Sequence, residues 1–161
     1  MLQWPWPTHE QEEGPLTSPE THALPIAVWA LLALLLIQAL DGLLGGIALV
    51  AGPRGEILRM PLSYLKGSPF PDYRIPGIIL LTVLGLFPLV AAAGLWRRQR
   101  WAWYASLAVG CGLVIWLAVQ VIIIPFNPLQ AVIAVEGLTI AVLTLLPSVR
   151  RYCLPRIVGD D

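Results

Sequence analysis

Residues 25–51 read PIAVWALLALLLIQALDGLLGGIALVA, a long apolar run whose single charge is Asp41. A helix needs about 20 apolar residues to cross the hydrocarbon core of a bilayer. This run exceeds that length and lacks the period-two alternation of a barrel strand, so it reads as a spanning helix that tilts or extends past the interface. Three further apolar runs follow, at 76–96, 103–124 and 129–146. Prolines punctuate them. Pro25 and Pro76 suit first helical turns, where the missing N–H is not needed. Pro125 and Pro128 bracket PFNP, a predicted tight turn between the third and fourth helices, and Pro147 is expected to stop the fourth. The predicted fold class is all-α: a polytopic membrane protein with four transmembrane helices in an antiparallel bundle.

Composition agrees with that class. The chain is 57% hydrophobic and 12% charged, against roughly a quarter charged in soluble domains. Ten basic residues balance ten acidic ones. With no basic excess and no nucleic-acid motif, nucleic acid is not an expected partner. Cys111 and Cys153 form no Cys-x-x-Cys pair and read as packing or surface thiols. His9 and His22 both precede the first run, which leaves no histidine in a span to ligate haem. There is no Ser/His/Asp or Cys/His set. The sequence therefore offers no catalytic residue, no metal site and no cofactor.

Three regions are expected. Residues 1–24 form a proline-rich tail with four glutamates and no Lys or Arg. That composition predicts disorder and lacks the basic start of a signal peptide. Residues 25–147 form the transmembrane domain, with an outer loop at 52–75, and residues 148–161 form a C-terminal tail. With both termini inside, six arginines are cytoplasmic (Arg97, Arg98, Arg100, Arg150, Arg151 and Arg156) against Arg54, Arg59, Lys66 and Arg74 outside. The positive-inside rule thus favours a multi-pass protein of the inner (plasma) membrane with cytoplasmic termini. In the outer loop, Ile57, Leu58, Leu62 and Leu65 suit a short interfacial helix broken or begun at Pro61. The prolines of SPFPDYRIPG then stiffen the approach to helix two. Phe70, Asp72, Tyr73 and Arg74 form either a docking surface or part of a lid.

The combination of DG in helix one, GPRG after it, SPFPDYRIPG, the basic RRQRW and WLAVQ in helix three resembles a family of small bacterial integral membrane proteins. The resemblance covers roughly residues 30 to 145. It implies a four-helix bundle and no particular activity, so it assigns no functional residue.

Polar groups within the spans are few. Asp41 and Glu136 fall at similar predicted depth, each within ~5 Å of the midplane at 1.5 Å per residue. Gln38 and Gln120 are candidate hydrogen-bond partners. A charged group near the bilayer centre costs a few kcal/mol, so both acids are expected to face the bundle interior. Gly42 and Gly46 make a small-xxx-small pair beside Asp41, and Gly137 follows Glu136, which predicts close helix packing there. Pro88 should kink helix two. Two roles are open for the acids: hydrogen-bonded packing between helices, or a proton- or cation-binding site. The corresponding functions are a non-enzymatic scaffold or accessory subunit, and a small coupled transporter. The expected partners are the lipid bilayer and another membrane protein or further copies of the chain.

Overall fold

The computed structural model describes residues 24–123 and 128–154. The expected N-terminal tail, the PFNP turn and the end of the C-terminal tail lie largely outside these residues. Among the described residues the chain is all-helical, and four helices are long and apolar enough to cross a membrane. The first, α1, is Ile26–Ala51. The second span, Arg74–Trp96, is composite. It comprises α2 (Arg74–Ile79), a π-helical stretch (Leu80–Leu86) and α3 (Phe87–Trp96). Helices α4 (Arg100–Ile123) and α5 (Pro128–Leu145) complete the set. The second and third spans begin two or three residues earlier than their apolar runs. Arg74 and Arg100, polar residues that apolarity alone leaves out, are already in helical turns.

The C-terminal tail is corrected most. Pro147 ends α5 but also opens a further helix, α6 (Pro147–Cys153), from its first turn. Proline is well placed there because the first N–H groups of a helix have no intrahelical acceptor. Val149 and Cys153, one turn apart, are fully buried and join Val28, Leu31, Leu35 and Leu95 in the core. The core is therefore concentrated at the end of the molecule where α1 begins and α6 closes. Ending α5 at Leu145 leaves carbonyls without helical donors. The Trp103 indole N–H donates to one of them, the Thr144 carbonyl, at 2.8 Å.

Glycines set how closely the spans approach. A Cβ at Gly42 would overlap the Leu84 carbonyl, and one at Gly46 would lie 2.6 Å from the Leu81 nitrogen. The relation is reciprocal, since a Cβ at Gly85 would lie 2.8 Å from the Leu43 nitrogen. Helices α4 and α5 meet in the same way, with Gly110 against Ala141 and Gly137 against Leu113, each 2.8 Å from an added Cβ. At Gly42, Gly46, Gly85 and Gly110 the nearest atom is backbone and at Gly137 it is the Leu113 Cβ, none of which a rotamer change can move away. On α1 the four-residue spacing of Gly42 and Gly46 places both on one face.

The outer loop folds onto itself instead of forming the expected interfacial helix. Only Leu62–Leu65 makes a short 3-10 turn, beginning after Pro61. Gly55, at φ 84°, accepts from the Met60 N–H at 3.0 Å and closes the first part of the loop. Tyr73 ties the rest: its N–H donates to the Pro53 carbonyl at 2.8 Å, and its hydroxyl donates to the Pro61 carbonyl at 2.9 Å. Burial, with the Tyr64 phenol second, raises the Tyr73 phenol above its ordinary value.

Two outcomes are expected. Gly42→Ala should lower the thermal midpoint in detergent through an overpacking cost of about 1–3 kcal/mol. Gly112→Ala, where an added Cβ meets nothing within 4 Å, should leave it unchanged or raise it. Equal midpoints would refute the backbone contact. Second, burial pushes the Cys153 thiol up to about 11, so about one thiol in a thousand is ionised at pH 8. In a Cys111→Ala chain, maleimide labelling at pH 8 should be more than a hundredfold slower than after unfolding in dodecyl sulfate. Fast labelling of the folded chain would place α6 away from the core.

Candidate functional site

The polar centre of α1 splits into two faces. Gln38, Ala39, Gly42 and Gly46 point inward and are buried, while Asp41 is exposed. The expectation that Asp41 faces the interior is therefore corrected. The glycines claim the inward face because only they admit the second span so closely. Asp41 is one residue before Gly42, about 100° around the helix. Its neighbours on the exposed side are Ile37, Leu40, Leu44 and Ile47, each more than half exposed. The spacing 37, 40, 44, 47 is the three–four alternation of a helix seam. Asp41 is thus a carboxylate set in an uncovered apolar stripe.

Gln38 does not serve Asp41 either. Its Nε2 donates to the Leu84 carbonyl at 3.0 Å, in a buried contact between residues 46 apart in sequence. In α-helical register the Leu84 carbonyl would accept from residue 88, and Pro88 has no N–H. The proline ring would also crowd that carbonyl. The π-helical stretch lies immediately before Pro88, where the Phe87 N–H reaches back to the Thr82 carbonyl. The wider turn relieves the crowding, and Gln38 supplies the missing donor. The disturbance at Pro88 is thus a widened turn with a side chain from α1 bonded into it.

Glu136 lies half-buried on α5, and one of its carboxyl oxygens is buried with no hydrogen-bond partner. Helices α1 and α5 touch. Asp41 and Glu136 stand on these two touching helices. Gln120 does not join them. Its Oε1 is likewise buried without a partner. The α4–α5 register is fixed by Trp103 against Thr144 and Gly110 against Gly137. That register puts Glu136 level with Leu113 and leaves Gln120 about 10 Å farther along the axis, at 1.5 Å per residue. Among the described residues no three His, Cys, Asp or Glu side chains converge in a metal-binding group.

The outer-loop residues divide. Tyr73 is 3% exposed and is the anchor of the loop, so it presents no docking surface. Asp72 accepts from the Arg74 N–H through Oδ1 at 2.9 Å and steadies the start of α2. Phe70 is half-buried and Arg74 exposed.

Sequence reading missed the organisation of the basic end. Helix α3 finishes with paired bonds from Arg98 N–H to the Leu95 carbonyl (3.1 Å) and from Gln99 N–H to the Gly94 carbonyl (2.9 Å). This is a Schellman cap with Arg98 at the left-handed position, φ 55°, where glycine is usual. The Arg98 guanidinium lies 4.9 Å from the centre of the Tyr152 ring on α6, a cation–π contact of ~0.5–1 kcal/mol or more. Trp29 of α1 and Trp96 of α3 meet edge to face at 5.7 Å.

No protein-family model, curated protein or solved structure matches the chain.

The Gln38 contact can be tested by a double-mutant cycle. Gln38→Leu should cost about 1–3 kcal/mol of stability by stranding the Leu84 carbonyl. In a Pro88→Ala background the new N–H can serve that carbonyl, and the cost should shrink by half or more. An unchanged cost would separate Gln38 from Pro88.

Proposed function

We propose that the chain is a four-span antiparallel bundle of a bacterial inner membrane, with cytoplasmic termini, and that it acts as a scaffold or accessory subunit. The observation that carries this reading is Asp41 on the apolar stripe of α1. An aspartate facing hydrocarbon near the midplane costs about 2.5–3.5 kcal/mol on insertion scales. A partner helix laid along Ile37, Leu40, Leu44 and Ile47 with a donor opposite Asp41 would offset that cost. Polar contacts of this kind hold membrane helices together with roughly 0.6–2 kcal/mol each. The partner is either another membrane protein or a further copy of the same chain.

The placement of Asp41 and Glu136 on the touching helices α1 and α5 supports one other reading, a proton- or cation-coupled carrier, because acids brought close resist simultaneous ionisation. The two readings diverge on substitution. Under the assembly reading, Asp41→Leu should reduce the recovered complex, measured by native mass spectrometry after mild detergent extraction, about tenfold. Asp41→Asn should retain most of it, because the amide still hydrogen-bonds. If Asp41→Leu leaves the assembly intact and instead abolishes proton uptake into proteoliposomes, the carrier reading replaces it.

A further inference from the structure

Between α1 and α3 runs an outward-opening groove of about 340 Å³. Leu32 and Leu36 of α1 line it on one side, and Leu89, Ala92 and Ala93 of α3 on the other. The two alanines create the space, since a larger side chain there would fill it. From Trp29 to Leu36 the groove follows seven residues of α1, about 10 Å of helix. Its mouth holds the edge-to-face pair Trp29 and Trp96, with Arg97 at the rim. Apolar walls, an indole pair and a guanidinium in that order match the polarity gradient of a bilayer leaflet from acyl chain to headgroup.

We propose that this groove binds an anionic phospholipid, with an acyl chain along Leu32, Leu36 and Leu89 and the headgroup phosphate on Arg97. The proposal rests on the chain lying in a bilayer. Arg97 is free for this role in a way Arg98 is not, because Arg98 is stacked on Tyr152. The last carbonyls of α3 do not oppose the phosphate. Those of Ala93, Gly94 and Leu95 already accept from the N–H groups of Arg97, Gln99 and Arg98. A planar guanidinium can take two phosphate oxygens at once, which a zwitterionic headgroup's own ammonium would contest. Arg100, Arg150 and Arg151 lie at the same end of the molecule and bias it further toward negative headgroups. Inorganic phosphate alone would gain the charge contact but leave the groove empty.

The test is native mass spectrometry of the full chain released from micelles containing equal phosphatidylglycerol and phosphatidylcholine of the same acyl composition. One phosphatidylglycerol should be retained, with at least about tenfold preference. Arg97→Gln should lower its retention about tenfold, the loss of one charged contact. Ala93→Phe, which fills the groove from an exposed position, should abolish it. Lys66→Gln, in the outer loop and away from the groove lining, should leave it within twofold. Brominated phosphatidylglycerol should quench tryptophan fluorescence in the wild-type chain, and less so in Trp29→Phe. Equal retention of the two lipids, an unaffected Arg97→Gln, or competition by inorganic phosphate at lipid concentration would overturn the site. If the lipid is not retained while the chain still needs detergent to leave membranes, the groove assignment falls and the spans stand.

Discussion

The approach of Gly42 to the Leu84 carbonyl constrains everything around it. At that point backbone meets backbone, so neither helix can rotate without clash or separation. The rotation of α1 decides which of its residues are inside: Gln38 and Gly46 with Gly42, and Asp41 beyond the edge. The same contact brings the Gln38 amide to the one carbonyl that Pro88 cannot serve. A proline inside a span is tolerated when neighbouring side chains satisfy the freed backbone groups. Here that neighbour is fixed by a glycine four residues away, so the packing contact and the polar contact each depend on the other.

Much of this architecture is legible in the sequence, and the reasons are local. Each span announces itself by length and apolarity, which need no knowledge of the rest of the chain. Glycine spacing at 42 and 46 marks a close face because a helix places residues four apart on one side. The facing of Asp41 departs from the sequence expectation for an equally physical reason. The rule that charges turn inward assumes the inward face is vacant, and three small residues with Gln38 had already taken it. Helix α6 escaped notice because PSVRRYC is short and bears two arginines. Its identity as a core element depends on Val149 and Cys153 finding a cavity that only the assembled spans create. The Gln38–Leu84 bond spans 46 residues and leaves no pattern in either segment.

The basic end has a logic of its own. Arginine at the left-handed position of a Schellman cap is disfavoured relative to glycine. The contact with Tyr152 offsets that cost and couples the α3–α4 turn to α6. Helix α6 is in turn held by its buried valine and cysteine. The turn, the short helix and the start of α1 therefore close one end of the molecule as a unit, and Arg97 stands beside that unit with its charge uncommitted. Rigid surroundings matter for a site of this kind, since little further ordering is needed when an anion arrives.

At the level of Asp41 the reverse holds. The contacts between α1 and α5 are sparser than those within either glycine-sealed pair, and the polar atoms there are incompletely bonded. A fold stable as an isolated unit would gain from leucine at position 41, continuing the stripe of Ile37, Leu40, Leu44 and Ile47. A fold that conducted protons by itself would gain from turning Asp41 inward to meet Glu136 and Gln120. The structure does neither. Asp41 instead stands exposed beside the apolar stripe, where the isolated chain gives its carboxylate the least to bond.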